Sequence, residues 1–183
     1  MPELPEVETI ARTLRPELVG RTIIEADLRW ARTLAFPSAR KFKQQIKGQL
    51  IKGGGRRAKY INIQLQDYNL MIHLRMSGDL LVKSSKIRPE KHDRLILTLS
   101  SPLPVRAGQG VRESKLVFND TRKFGRVWLT DTPEEVLGKL GPEPLGNEFT
   151  AKWLHENLHN RHRQLKPLLL DQTFLAGLGN IYT

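Results

Sequence analysis

The chain has 183 residues, 39% of them hydrophobic, which is enough to bury a core and excludes a disordered tail. It contains no cysteine, so disulfides and thiolate metal sites are excluded among these residues, which fits a reducing cytoplasm. The net charge is +11, and residues 1–130 carry 25 Lys and Arg against 12 Asp and Glu, a surplus that favours nucleic acid as the partner.

A soluble basic domain, or an RNA-bound protein of ribosomal type, is the alternative explanation of this charge. No apolar run approaches the roughly 18 residues of a membrane span, and the N-terminus lacks a signal-peptide pattern. We therefore expect a cytoplasmic protein.

The first predicted element is a helix at the N-terminus. Pro5 suits its first turn, Gly20 supplies a stop, and Pro16 is expected to kink or shorten the last turn. Apolar residues recur at helical spacing, at Val7, Ile10, Ala11, Leu14 and Leu18.

From Thr22 to Thr130 the hydrophobic pattern changes to period two, with a short helix at Ala39–Ile46 and a long mobile loop at Pro102–Glu113. The predicted strands are Thr22–Arg29, Lys59–Gln66, Asn69–Met76, Arg94–Ser100, Lys115–Asn119 and Arg126–Thr130. In the third of these, Met76 is predicted on the apolar face. Many short strands separated by turns favour an antiparallel sandwich or barrel.

After Thr130 the pattern is helical again, with helices predicted at Pro133–Lys139, Ala151–Leu158 and Leu165–Gln172. The stretch Gly141–Gly146 is rich in proline and glycine and is the expected hinge. A further helix is expected to open at Gly177. The predicted fold class is α+β, in which an N-terminal helix and an antiparallel sandwich precede a helical part.

The extreme N-terminus carries residues that could do chemistry. Methionine is removed when the next residue is small, which would leave Pro2 with a free secondary amine. An α-amino group titrates near about 7.7–8.0, so part of it is unprotonated at neutral pH and can attack an electrophilic carbon to form an iminium. Glu3 is an adjacent carboxyl able to move a proton. The alternative is a frayed helix start without a function.

Several strings spread along the whole chain bear on this choice. They are Met1–Thr9 (MPELPEVET), Arg57–Tyr60 (RAKY), His73–Gly78 (HLRMSG), Lys91–Asp93 (KHD), Arg122–Gly125 (RKFG), Gly141–Leu145 (GPEPL) and Gly179–Tyr182 (GNIY). In this order they closely resemble the formamidopyrimidine-DNA glycosylases. That resemblance implies a two-layer β-sandwich followed by a helical domain with a helix–two-turn–helix DNA-binding motif.

The resemblance assigns roles to individual residues. Pro2, Glu3 and Lys59 match catalytic positions, Lys59 as a phosphate contact that assists elimination. The DNA-binding positions are matched by His73, His92, Arg122, Arg161 and Asn180. The trio that fills the void left by an extruded nucleotide is matched by Met76, Arg122 and Phe124. Without the resemblance, Met76 and Phe124 are more typical of buried core residues. Lys59 is then typical of a lysine whose aliphatic stem is buried and whose ammonium reaches solvent, and a lone His or Arg is typical of a solvated surface.

The resemblance further implies a domain plan, with a catalytic sandwich and its helix at 1–131, a hinge with a short helix at 132–149, and a partial helix–two-turn–helix domain at 150–183. It implies a bifunctional DNA glycosylase and AP lyase of base excision repair that excises oxidised purines such as 8-oxoguanine and formamidopyrimidines. The expected partner is double-stranded DNA with a damaged base, bound by a monomer in the bacterial cytoplasm at the nucleoid. The alternatives are a non-catalytic DNA-binding fragment and the related glycosylase that acts on oxidised pyrimidines.

The family's four-cysteine zinc finger and the second helix of its DNA-binding motif are expected after Thr183, in a longer parent protein. Because this sequence has no cysteine, we expect no cofactor within it. Reduced grip on DNA, and weak or absent excision by these 183 residues alone, are therefore expected.

Overall fold

The structure is a computed structural model that describes residues 1–100, 113–159 and 161–183. Its helices are α1 (Leu4–Leu18), α2 (Ala39–Ile46), α3 (Pro133–Leu137), α4 (Ala151–His159) and α5 (Leu165–Leu170). Its strands are β1 (Ile23–Leu28), β2 (Leu34–Phe36), β3 (Ile51–Arg57), β4 (Tyr60–Leu65), β5 (Asn69–His73), β6 (Gly78–Ser84), β7 (Asp93–Leu99), β8 (Ser114–Asp120) and β9 (Arg126–Thr130).

The strands form two sheets, one in the order β1-β7-β8-β6 and the other in the order β2-β9-β5-β4-β3. All strand pairs are antiparallel except β2 with β9. Apolar side chains from both sheets and from α1 and α2 meet in one core. The α+β class and the sandwich predicted from the sequence are confirmed.

Helix α1 places the N-terminus against the second sheet. Its buried residues are Leu4, Val7, Ala11, Leu14 and Leu18, which lie on one face because they are separated by three, four and seven positions. The side chain of Glu6 reaches back to the N–H of Glu3, closing a capping box at the first turn. Pro16 does not shorten the helix, which continues to Leu18.

The prediction of one strand over Asn69–Met76 is wrong at its end. Strand β5 stops at His73, and a turn follows that is closed by the N–H of Gly78, which donates to the carbonyl of Leu74 at 3.0 Å. Arg75 has a φ of 57°, a left-handed conformation that a strand cannot contain. Met76 therefore projects from a loop and not from an apolar strand face.

Strands β2, β3 and β6 were not predicted. Strand β3 contains three consecutive glycines, which weaken the sequence signal of a strand, but it is held by its pairing with β4 at the sheet edge. The loop predicted at Pro102–Glu113 lies, except for Glu113, outside the described residues.

The helical part has a small core of its own. Leu168, Phe174 and Leu175 are buried there, and Trp153 and Leu158 pack against them from α4. The helix expected to open at Gly177 is represented, up to Thr183, by a turn at residues 180–182. Backbone N–H groups of this segment are hydrogen-bonded to the N-terminal part of the chain instead.

Candidate active site

The carboxylate of Glu3 is enclosed by the backbone of the C-terminal segment. Its Oε2 accepts the N–H of Gly179 at 2.7 Å, and its Oε1 accepts the N–H of Ile181 at 2.8 Å, while the N–H of Tyr182 lies 3.4 Å from Oε2. Only 1% of Glu3 is exposed. A buried carboxylate without donors would be strongly disfavoured, so these amides supply the hydrogen bonds that the Glu3 side chain needs at this position.

Two glycines allow the C-terminal segment to approach this closely. A Cβ at Gly179 would lie 2.4 Å from Cδ of Glu3, and a Cβ at Gly177 would lie 2.5 Å from Cδ1 of Leu4. Gly177 also has a φ of +109°, which L side chains rarely adopt. Its carbonyl accepts the N–H of Leu4 at 3.1 Å. The start of α1 and the 177–182 segment therefore form one unit, with half-buried Pro2 at its edge.

Lys59 lies between β3 and β4 and is buried, with 7% exposure. Its position follows from the local sequence, because it is in phase with the buried residues Ile61 and Ile63 of β4. Burial lowers the pKa of Lys59, and the attraction of Glu3 opposes that change. The lysine is thus an amine near the Glu3 carboxylate. Because its pKa is lowered, a larger fraction of it is neutral at a given pH than for an exposed lysine.

The turn that carries Lys59 is fixed by Glu143 of the linker. Glu143 Oε1 accepts the N–H of Ala58 at 2.6 Å and pairs with Arg57 at 3.0 Å. Arg56 pairs with the same carboxylate and, through Nε, with Glu8 Oε2 at 2.6 Å. Burial raises the pKa of Glu143, but the hydrogen bonds from Ala58, Arg56 and Arg57 lower it overall. This network joins α1, the Lys59 turn and the linker.

His73 ends β5 and is buried, with 8% exposure. Its Nδ1 accepts the N–H of Arg75 at 3.0 Å, so in the neutral ring the proton is on Nε2. The ring meets that of Tyr60 edge-on, with centroids 4.7 Å apart. Burial, with the charges of Arg75 and Lys59, lowers the pKa of His73 to about 4. At neutral pH the imidazole is therefore an uncharged donor through Nε2.

The neutral state of His73 predicts a pH dependence of stability. The folded pKa of about 4 is below the unfolded value of about 6.5, so the unfolded chain binds the proton more tightly. The contribution of His73 to the free energy of unfolding should be fully present above pH 6.5. It should decrease by up to about 3 kcal/mol as the pH drops towards 4. We expect His73→Phe to flatten this part of the curve in urea unfolding experiments, compared with the exposed control His155→Gln. Parallel curves for wild type and His73→Phe would contradict the assignment.

The three residues predicted to fill a nucleotide void lie on two neighbouring loops. Met76 is 48% exposed and Phe124 is 55% exposed, so the alternative that they belong to the core is wrong. Nη1 of Arg122 is 3.7 Å from Sδ of Met76. Arg75 and Lys123, which precede Met76 and Phe124, both have a positive φ, at 57° and 63°. A positive φ is disfavoured at residues other than glycine, and such residues cluster at functional sites.

The other predicted DNA contacts are distributed differently. His92 is half-buried, with Nδ1 3.2 Å from Nη2 of Arg94. Asn180 is exposed on the segment that encloses Glu3. The guanidinium of Arg161 lies 5.0 Å from the centroid of the Phe174 ring, in the helical part. The structure thus brings Asn180 close to Glu3, whereas Arg161 contacts the small helical core.

Comparison with known protein families shows to which family this chain is related. The sequence profile of the formamidopyrimidine-DNA glycosylase N-terminal domain matches residues 1–127, and the profile of the H2TH domain of the same glycosylases matches residues 140–183. The chain belongs to the formamidopyrimidine-DNA glycosylase family. The resemblance drawn from its short motifs is confirmed, while the predicted boundaries at 131 and 150 stay predictions.

Individual relatives agree with the family. The chain is 42% identical over 184 residues to the formamidopyrimidine-DNA glycosylase of Protochlamydia amoebophila and 46% identical over 188 residues to that of Chloroflexus aurantiacus. Each match covers all of this chain and 63% of the relative. The chain therefore spans less than two thirds of the length of these glycosylases.

Solved structures of the family have the same fold. The Lactococcus lactis enzyme non-covalently bound to DNA with an AP site superimposes with a TM-score of 0.85 at 35% identity, covering 99% of this chain and 66% of that one. A complex of the same enzyme with DNA containing FAPY-dG gives the same score and identity, covering 98% of this chain and 65% of that one. In the described part of this chain, no helix is long and apolar enough to cross a membrane.

Three residues that organise the site were not singled out from the sequence. Glu143 and Arg56 lie in or beside motifs that were recognised, but the contact between them joins positions 87 residues apart. Asp120 precedes the Arg122–Gly125 motif and is completely buried. A signal was available for Asp120, since an aspartate at the end of an apolar strand must find donors.

Proposed function

We propose that this chain is the catalytic part of a bifunctional DNA glycosylase and AP lyase that excises oxidised purines in base excision repair. The observation that supports this most strongly is the enclosed Glu3 carboxylate, which is adjacent to Pro2 in the chain and attracts the buried amine of Lys59 electrostatically. Membership of the glycosylase family supports this reaction class. In this proposal the three groups act together as an amine nucleophile, a proton acceptor and a second amine.

The nucleophile is the Pro2 nitrogen after removal of Met1. Its lone pair forms a bond to C1′ of the damaged nucleotide as the bond between C1′ and the base breaks. The base leaves with a proton taken from water, and the attacking nitrogen passes its own proton to Glu3. Cleavage of the C1′–O4′ bond then opens the sugar and gives the iminium, and O4′ takes the proton that Glu3 received. Loss of a C2′ proton then expels the 3′ phosphate, and a second elimination expels the 5′ phosphate.

Glu3 is the acid/base partner in this scheme. Because the amides of Gly179 and Ile181 hold it as an acceptor, it suits the receipt of the proton that the amine must lose. Lys59 contacts a DNA phosphate and assists elimination. The lowered pKa of Lys59 gives it access to the neutral form needed to accept a proton.

Double-stranded DNA with a damaged base is the proposed partner, bound by a monomer. The target atom is unreachable inside the stacked duplex, so the nucleotide must be extruded and the void filled. The exposed side chains of Met76, Arg122 and Phe124 suit that role. The proposed phosphate and sugar contacts are His73, His92, Arg122, Arg161 and Asn180. For His73, the Nε2–H of the neutral ring is a donor suited to phosphate.

No metal takes part in the proposed steps. The four thiolates of the family's zinc finger require cysteines, and this sequence has none. Every group in the scheme above belongs to residues 1–183, and each acts by covalent attack, proton transfer or binding.

The purine preference draws on the Lactococcus lactis enzyme, which has been solved with FAPY-dG in its DNA. The same enzyme has also been solved with DNA containing an oxidised pyrimidine. That complex supports the alternative, a glycosylase that acts on oxidised pyrimidines. Parallel excision assays on 8-oxoguanine and oxidised-pyrimidine duplexes separate the two substrates.

A non-catalytic DNA-binding fragment is the second candidate, favoured by the +11 charge alone. Borohydride reduction in the presence of a duplex with an abasic site distinguishes the candidates, because only an iminium is converted into a stable protein–DNA adduct. We expect the adduct to form. Salt-sensitive binding without an adduct would support the non-catalytic fragment.

A further inference from the structure

Asp120 is the last residue of β8 and has no solvent exposure. Its Oδ2 accepts the N–H of Gly125 at 2.8 Å, and its Oδ1 accepts the N–H of Arg122 at 3.1 Å. The hydroxyl of Ser77 donates to the same Oδ1, and Ser77 Oγ in turn accepts the N–H of Arg122 at 3.1 Å. One carboxylate therefore bonds both ends of the 122–125 loop and the neighbouring loop that carries Met76.

The same two loops are packed on one aromatic ring. A Cβ on Gly125 would lie 2.4 Å from Cζ of Phe118, and a Cβ on Gly78 would lie 2.9 Å from Cε2 of that ring. Both glycines directly follow the exposed parts of their loops. Because the ring allows neither loop to shift inwards, the hydrogen bonds to Asp120 define the relative placement of the two loops.

Arg94 connects this cluster to a further predicted DNA contact. It is buried, with 7% exposure, and its Nε donates to the carbonyl of Asp120 at 2.7 Å. Its Nη2 lies 3.2 Å from His92 Nδ1. The guanidinium thus donates to the main-chain carbonyl of Asp120, whereas the carboxylate accepts hydrogen bonds from Ser77, Arg122 and Gly125.

We propose that Asp120 is a positioning residue that ties the Met76 loop and the Arg122–Phe124 loop into a single preformed wedge. This inference rests on the proposed function, since the wedge acts only when a nucleotide leaves the duplex. Left-handed backbone at Arg75 and Lys123 is disfavoured and persists only where the surroundings fix it. His73 Nδ1 accepts the N–H of Arg75, and Asp120 and Ser77 hold the 122–125 loop that contains Lys123.

The test compares two abasic substrates that differ in their need for a wedge. A duplex leaves a void when its abasic nucleotide is extruded, whereas a single strand leaves none. We expect Ser77→Ala to slow borohydride trapping on the duplex by about tenfold, the effect of one hydrogen bond to a carboxylate, with trapping on the single strand unchanged. Ser77→Thr retains the hydroxyl and should restore the duplex rate. Ser84→Ala, at the exposed end of β6, is the matched control.

Asp120→Asn is the second variant. Its amide has one acceptor oxygen, so the NH₂ group would face either the N–H of Gly125 or the donors from Ser77 and Arg122. We expect a larger loss on the duplex than for Ser77→Ala. A smaller fluorescence rise from 2-aminopurine placed beside the abasic site should accompany it, because that base unstacks when the wedge inserts.

The outcomes separate this inference from the proposed function. Duplex trapping by both variants at the wild-type rate would overturn the positioning role, and so would equal losses on duplex and single strand, which indicate general damage. If wild-type protein formed no adduct with either substrate, the proposed function would fail and the role of Asp120 would fail with it.

Discussion

Glu3→Gln is expected to slow excision of a damaged base by roughly a hundredfold to ten-thousandfold, the usual contribution of a positioned acid/base group. The substitution keeps the size of the side chain but removes an acceptor. In glutamine, the NH₂ group must face an N–H of Gly179 or Ile181, each now within 2.8 Å of a carboxylate oxygen. An unpaired buried donor costs about 1–3 kcal/mol, so the free energy of unfolding should fall by that amount.

Because excision by these 183 residues alone is expected to be weak, the assay uses single-turnover conditions with the protein in excess over an 8-oxoguanine duplex. Urea unfolding gives the stability. Glu17→Gln, on the exposed face near the end of α1, removes the same charge and is the control. We expect DNA affinity to change little. Excision by Glu3→Gln at the wild-type rate would show that the enclosed carboxylate has no part in the chemistry.

Blocking the Pro2 nitrogen is expected to have the largest effect of any change in the chain. When Met1 is retained, that nitrogen is an amide whose lone pair is delocalised, so trapping should disappear. Pro2→Gly leaves a primary amine after Met1 removal and should weaken trapping without abolishing it. The wild type without Met1, the chain that retains Met1 and Pro2→Gly should bind undamaged duplex DNA with nearly equal affinity, because the charge of residues 1–130 is almost unchanged.

Mass spectrometry of the intact protein establishes which N-terminus each preparation carries. A chain with extra residues before Met1 is the matched form in which the amine is always blocked. Full trapping activity in that chain would exclude Pro2 as the nucleophile.

Local sequence patterns were sufficient for several helices and strands of the fold. Helix α2 was predicted with the observed bounds, since Phe42 and Ile46 are one turn apart and both are buried. Strand β9 was also predicted residue for residue. The order of the motifs led to the family. The burial of Lys59 agrees with the alternation of buried residues along β4.

Contacts between distant parts of the chain could not be predicted. Glu3 and Gly179 are 176 positions apart, and nothing in either motif shows that a backbone amide meets a carboxylate. Glu143 accepts the N–H of Ala58 from 85 positions away. The strand β3 was missed because its pairing with β4 overrides the weak propensity of its glycines. Met76 was misplaced because the left-handed Arg75 ends the strand pattern early.

The identity of the attacking amine is the central claim, and the chain contains a rival amine. Burial lowers the pKa of Lys59, which brings a second nitrogen towards the neutral form near Glu3. Borohydride trapping of wild-type protein on an abasic duplex, followed by proteolysis and mass spectrometry of the DNA-linked peptide, identifies the nitrogen. We predict a cross-linked peptide that begins at Pro2 and carries the sugar on its α-nitrogen. A cross-link at Lys59, with the N-terminal peptide unmodified, would contradict it.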